Sequence, residues 1–209
     1  MSQVYDRVAL IGLGLIASSI FWASKRNNIS GHITGFARSE QTRKTARKIK
    51  LCDEVSDTLV DTVKEADLII LCVPVGAMEQ VMLEIAPFIK AGATITDVGS
   101  VKRAVIDAVE PHLPIDVKFV PGHPLAGTEH SGPESGFASL FDNRWCLLTD
   151  HKSADEKTRN KVVSFWKGLG ANVEFMDADH HDLVLAVTSH APHLIAYTMV
   201  GVADDLGKV

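Results

Sequence analysis

Three short stretches of this chain carry side chains suited to chemistry. In "PGHPLAGTEHSG" a histidine, His123, stands between Gly122 and Pro124, which restrict the backbone around it. An imidazole so placed can take a hydroxyl proton near neutral pH while a hydride leaves the same carbon. In "DVGSVK" Ser100 follows a strand-like run, where it can touch a nicotinamide or cap the next helix. In "LAVTSHAPHLIAYTMV" Ser189 and His193 are four residues apart and share a helix face. Pro192 lies between them and is expected to bend that helix, since an internal proline costs about 3 kcal/mol. His190 falls off the shared face and reads as a structural hydrogen-bonding group.

A fourth stretch holds no reactive side chain. Gly12-Leu13-Gly14-Leu15-Ile16-Ala17 fits G-x-G-x-x-A between a strand and a helix. Gly12 permits the turn, Gly14 lets a pyrophosphate approach the backbone, and Ala17 lets the helix pack on the strand. The helix N-terminus then offers free N–H groups to the anion. The second strand ends in "GFARSEQT", with Ala37 where binders of NAD usually place an acid. With no carboxylate to repel a 2′-phosphate, Arg38 and Ser39 favour NADP over NAD. The expected cofactor contacts are Gly12, Gly14, Leu15, Ile16, Arg38, Ser39, Val73, Pro74 and Ser100.

The elements that must position these groups alternate. Strand-like runs ("RVALIGLG", "HITGFAR", "ADLIILCVP", "ATITDVGS", "VKFVPGHP") are separated by amphipathic stretches at 15–27, 40–50, 57–65, 77–90 and 101–112. Such alternation implies parallel βαβ units in a doubly wound α/β sheet, covered on both faces. Residues 124–144, rich in glycine, proline and small polar side chains, read as a long functional loop. "RWCLLTD", a helix over 155–169 and "NVEFMD" complete this part, and from residue 177 the pattern is helical and increasingly apolar.

Composition narrows the partners. A net charge of −5 argues against nucleic acid, and the basic run at 38–50 reads as a solvated helix face. "MSQVYDRVALIG" does not read as a basic leader followed by a hydrophobic region and a cleavage site, so no signal peptide is expected, and no apolar run reaches the roughly 18 residues of a membrane span. Cys52, Cys72 and Cys146 are odd in number and widely spaced, which suits reduced thiols in a cytoplasmic protein. His180, His181, His190 and His193 with Asp177, Asp179 and Asp182 offer ligand types for a metal. There is no H-E-x-x-H, however, and Pro192 distorts the spacing, so no metal is expected.

"GLGLIAS", "DVGSVK", "GHPLAGTEHSG" and "HHDLVLAVTSHAPH", in this order from about residue 6 to the end, resemble the prephenate/arogenate (cyclohexadienyl) dehydrogenases of tyrosine biosynthesis. The resemblance implies a Rossmann-type dinucleotide domain over 1–176. It also implies the start of an all-α substrate and dimerisation domain over 177–209, hence a homodimer. It implies NAD(P)-dependent oxidative decarboxylation, with His123 accepting the 4-hydroxyl proton and Ser100 orienting it while touching the cofactor. Thr128 and Glu129 would line the substrate pocket, with Ser189 and His193 reaching it from the C-terminal helix.

The family pattern also places an arginine for the ring carboxylate beyond "SHxPH", whereas the last arginine here is Arg159. The chain is therefore expected to be part of a longer polypeptide. Two other readings share the dinucleotide site. One is a β-hydroxyacid-type dehydrogenase or imine reductase, which would lack "GHPLAGTE". The other is a non-catalytic dinucleotide-sensing module, which would bind cofactor without reducing it.

Overall fold

A computed structural model describes residues 3–206. Its centre is a strand, β1 (Tyr5–Ile11), whose side chains alternate between two cores. Val8 and Leu10 pack with Ile20, Phe21, Phe141, Phe165 and Trp166 on one face. Ala9 and Ile11 pack with Ile69, Leu71, Met78, Met82 and Val105 on the other. Each large side chain so buried contributes about 1.5–3 kcal/mol.

Five parallel neighbours complete the sheet: β2 (Ser30–Phe36), β3 (Glu54–Val55), β4 (Leu68–Leu71), β5 (Thr94–Asp97) and β6 (Lys118–Val120). Their order is β3-β2-β1-β4-β5-β6, the doubly wound Rossmann arrangement, in which the chain reverses direction across the sheet between β1 and β4. Ligands of such sheets bind at the carboxyl ends of the strands around that point. The connecting helices are α1 (Leu15–Asn27), α2 (Glu40–Lys48), α3 (Leu59–Val63), α4 (Met78–Ile85) and α5 (Arg103–Val109). Asn28, in the left-handed conformation, ends α1.

"VKFVPGHP", which reads as one strand, is two. β6 stops at Val120, and Pro121 has no N–H with which to continue a ladder. The next N–H, that of Gly122, turns instead to Asp97 Oδ1 at 3.0 Å. The chain thereby passes into a second sheet of order β7-β8-β9, formed by β7 (Gly122–Pro124), β8 (Trp145–Leu148) and β9 (Asn172–Phe175). β7 runs antiparallel to β8, and His123 is opposite Leu147. Helix α6 (Glu156–Gly168), capped by Asp155 accepting from the Thr158 N–H at 2.7 Å, covers the junction with Phe165 and Trp166.

Beyond β9, Asp177 caps α7 (Ala178–Leu185) by accepting from the N–H groups of Asp179 and His180. A π-helical turn, Ala186–His190, joins it to α8 (Ala191–Leu206). The wider turn sits just before Pro192, where it relieves the clash between a proline ring and the carbonyl of the preceding turn. Ala178, His181 and Leu185 are buried against the sheet domain, whereas α8 is exposed along its length. The joined helix has 29 residues and contains an 18-residue stretch of mean hydropathy 1.4, long and apolar enough to cross a membrane by length and composition. Ser189, His190, Pro192 and His193 interrupt the apolar residues, so no unbroken run marks this helix in the sequence.

Candidate active site

The first βα turn is shaped for an anion. Gly12 has φ of +98°, and a Cβ there would lie 2.5 Å from the Cys72 carbonyl oxygen, so the turn needs glycine. A Cβ on Gly14 would meet nothing within 4 Å, which leaves an open approach to the backbone. Gly14 is also the N-cap of α1 and supplies no capping side chain. The first N–H groups of the helix, at Leu15 and Ile16, therefore face that space with no helical carbonyl to receive them. Ala17 is fully buried against the sheet. Val73 closes the other side, its Cγ1 standing 3.0 Å from the Cβ position of Gly12, and the exposed Pro74 follows it. These residues fit a dinucleotide pyrophosphate.

At the end of β2, Ala37 is buried and Arg38 is exposed. Ser39 caps α2 by accepting from the Thr42 N–H at 3.3 Å. Arg43 ties the turn by donating to the carbonyls of Ala37 (2.7 Å) and Arg38 (3.0 Å). Its guanidinium also donates to Asp57 Oδ1 at 3.1 Å, whereas Arg38 is exposed at the end of β2.

The second group is built around His123, 8% exposed on β7. Its Nδ1 lies 2.9 Å from Nε2 of His181 on α7, and the Nδ1 of His181 lies 2.8 Å from Asp182 Oδ1. Asp182 also accepts from the N–H groups of Lys102 (2.6 Å) and Arg103 (2.9 Å), so it caps α5 from a distant part of the chain. Burial lowers the His123 pKa from its ordinary 6.5 to about 3, aided by Lys102, His181 and His190 and opposed by Asp182. His181 is lowered too, mainly by burial. Burial pushes Asp182 upward, but the two backbone donors and His181 outweigh it and hold the carboxyl below its ordinary value. At neutral pH the row is a carboxylate followed by two neutral imidazoles.

Beneath it lies an ion pair. Lys102 and Asp97, both wholly buried, are joined through Nζ and Oδ2. Lys102 Nζ also donates to the Gly122 carbonyl at 2.6 Å, and Asp97 accepts from the Gly122 N–H. Gly122 is thus gripped through both its peptide groups, which fixes the backbone from which His123 projects.

The remaining predicted residues lie farther out. Ser100 is exposed after β5 and, among the described residues, makes no hydrogen bond to His123. Nor does it cap α5, whose N-cap is Lys102. Thr128 and Glu129 are on the exposed loop, where Thr128 Oγ1 accepts from the His130 N–H and Glu129 pairs with His130. Farther along, the loop clasps α1: the Phe137 N–H reaches Ser19 Oγ at 3.1 Å, and a Cβ on Gly136 would lie 2.2 Å from Ser18 Cβ. Ser189 is half-buried and His193 exposed. His190, expected to be structural, is close enough to contribute to the lowered pKa of His123, after burial, Lys102 and His181.

Asp97 and Lys102 escaped the sequence reading, and His181 and Asp182 entered it only as metal ligands weighed and set aside. The adjacent His181-Asp182 pair at the start of an apolar helix was the available signal. Four of the seven acids and histidines weighed as metal ligands have other contacts here. Asp177 caps a helix, Asp179 pairs with Arg103, and His181 and Asp182 serve the row at His123.

Comparison with known proteins shows what the chain as a whole is similar to. Residues 22–175 match the family model described as prephenate dehydrogenase, nucleotide-binding domain. The cyclohexadienyl dehydrogenase of Zymomonas mobilis is 42% identical over 205 residues, 98% of this chain and 70% of that protein. The prephenate dehydrogenase of Bacillus subtilis is 35% identical over 96% of this chain and 54% of its own length. The crystal structure of prephenate dehydrogenase from A. aeolicus, in complex with hydroxyphenyl propionate and NAD+, superimposes with a TM-score of 0.86 at 30% identity. It covers 94% of this chain and 68% of that one.

Proposed function

Because the chain belongs to the prephenate dehydrogenase family, we propose that it oxidatively decarboxylates prephenate, arogenate or both, yielding 4-hydroxyphenylpyruvate or tyrosine in tyrosine biosynthesis. The observation that carries this reading is His123, a buried neutral imidazole held at the carboxyl edge that also bears the glycine turn. A bound nicotinamide dinucleotide supplies the acceptor for the C4 hydride. As that C–H bond breaks, the 4-hydroxyl becomes strongly acidic, and His123 takes its proton. A weak base suffices because the protonated carbonyl left by hydride loss is a strong acid; the bond to the ring carboxylate then breaks, CO2 leaves, and its electron pair makes the ring aromatic as a phenolate, which takes a proton back to give the phenol. The protein's task is mainly to position the ring and to receive one proton.

Gly12, Gly14, Leu15 and Ile16 would hold the pyrophosphate, with Val73, Pro74 and Ser100 along the nicotinamide side. Arg38 and Ser39 support NADP as the preferred dinucleotide, since Ala37 puts no carboxylate where a 2′-phosphate would sit. Thr128 and Glu129 would approach the substrate from the loop, and Ser189 and His193 from the helix. We assign 1–176 to the dinucleotide domain and 177–209 to the start of a substrate and dimerisation domain. A second copy of the chain is the partner that the exposed apolar side chains of α8 call for, among them Leu194, Ile195 and Met199. A cytoplasmic location suits its three free cysteines.

The test is formation of reduced dinucleotide with prephenate and with arogenate, with the product identified as 4-hydroxyphenylpyruvate or tyrosine. Turnover of either substrate supports the reading. Cofactor binding with no turnover of either returns the protein to the sensing module.

A further inference from the structure

We propose that His181 and Asp182 are a positioning dyad that holds His123 in its Nδ1–H tautomer and leaves Nε2 as the proton acceptor. The inference rests on the catalytic reading of His123 above, and it follows from counting protons along one row of contacts. Asp182, an ionised carboxylate, can only accept. Its Oδ1 is 2.8 Å from His181 Nδ1, so that nitrogen must carry hydrogen. His181 is neutral, so its Nε2 carries a lone pair. The 2.9 Å contact to His123 Nδ1 can then form only if His123 donates from Nδ1. A neutral imidazole has one N–H, so Nε2 of His123 is bare. Among the described residues it has no hydrogen-bond partner, which leaves it available to a ligand.

Three observations separate this from a buried histidine satisfied by chance. His181 is wholly buried and both its ring nitrogens are engaged. Asp182 is itself anchored by the two N–H groups that open α5, so the dyad cannot swing. Lys102, whose N–H is one of those donors, also grips the Gly122 carbonyl through Nζ, so one residue ties the dyad to the backbone of the base. The arrangement follows the general logic in which a carboxylate fixes the tautomer of a catalytic imidazole, with a second imidazole interposed. In this role the dyad acts through His123 and is a positioning group.

Long-range proton–nitrogen correlation spectra of the full-length protein read the tautomer directly. The expected spectrum assigns a protonated Nδ1 and an unprotonated Nε2 to His123 at neutral pH. A His123 protonated at Nε2 in the wild type overturns the proposal, whatever the variants do. His181→Leu should release His123 from that tautomer and lower kcat by roughly tenfold or more, with KM for the dinucleotide unchanged. His181→Gln, whose amide can accept from one neighbour and donate to the other, should restore kcat to within a few-fold. A folded His181→Leu protein with wild-type kcat and tautomer would refute the idea. If the wild type turns over neither prephenate nor arogenate, the catalytic reading fails, and the tautomer measurement still stands by itself.

Discussion

Lys102 and Asp97 form an ion pair with no solvent exposure on either side chain, and together they hold both peptide groups of Gly122, the residue before His123. Lys102→Met removes the cation and leaves a buried carboxylate beside apolar neighbours. The expected cost is about 3–5 kcal/mol in urea unfolding. The double replacement Asp97→Leu with Lys102→Met should recover part of that loss, because no uncompensated charge remains. A double variant no more stable than Lys102→Met alone would show that the pair acts through something other than charge compensation.

His123 makes the protein sensitive to acid in a defined direction. Folding moves its pKa from 6.5 down to about 3, first through burial and then through Lys102, His181 and His190. Between those values the unfolded chain binds a proton that the folded chain refuses. Stability is therefore complete above about pH 6.5 and falls as pH drops toward 3, by up to about 1.4 kcal/mol per pH unit. Urea unfolding at about pH 7 and about pH 5 should show this fall in wild type and a smaller one in His123→Gln. Equal falls in both proteins would place the acid sensitivity elsewhere.

The two motif glycines should fail in different ways. Gly12→Ala puts a Cβ against the Cys72 carbonyl at a positive φ, so it should lower the melting temperature with or without cofactor. Gly14→Ala meets open space and should leave the apoprotein's melting temperature almost unchanged while weakening dinucleotide binding about tenfold or more. Calorimetry on apoprotein, beside fluorescence titration with dinucleotide, separates the two effects.

Arg38→Ala tests the cofactor preference. Removing the guanidinium should weaken NADP by roughly tenfold, the order of one charge-assisted phosphate contact, and leave NAD nearly unaffected. Unchanged NADP affinity would remove Arg38 from the 2′-phosphate site.

The sheet was legible because parallel strands buried on both faces read as unbroken apolar runs, as "LIIL" of β4 does. The glycine turn was legible because G-x-G-x-x-A is a local pattern, and His123 because glycine and proline flank it. What was not legible depends on distant contacts. The break between β6 and β7 needs the Asp97 side chain to claim the Gly122 N–H. Lys102 looks like a solvated lysine until Asp97 and Gly122 surround it. His181 reaches His123 across 58 residues. The reading also gave the orienting role to Ser100, whereas the group within hydrogen-bonding distance of the ring is His181. The π-helical turn before Pro192 answers a steric conflict that sequence spacing, which assumes regular α geometry, does not resolve.

The central claim is that His123 accepts the proton of the substrate hydroxyl, and the most direct measurement is the turnover of His123→Asn in the full-length protein. With prephenate or arogenate and saturating dinucleotide, kcat should fall by roughly 10²–10⁴-fold, the usual contribution of a positioned base. Dinucleotide affinity, measured by fluorescence, should stay at the wild-type value. A folded His123→Asn protein that binds dinucleotide normally and keeps wild-type kcat would contradict the account.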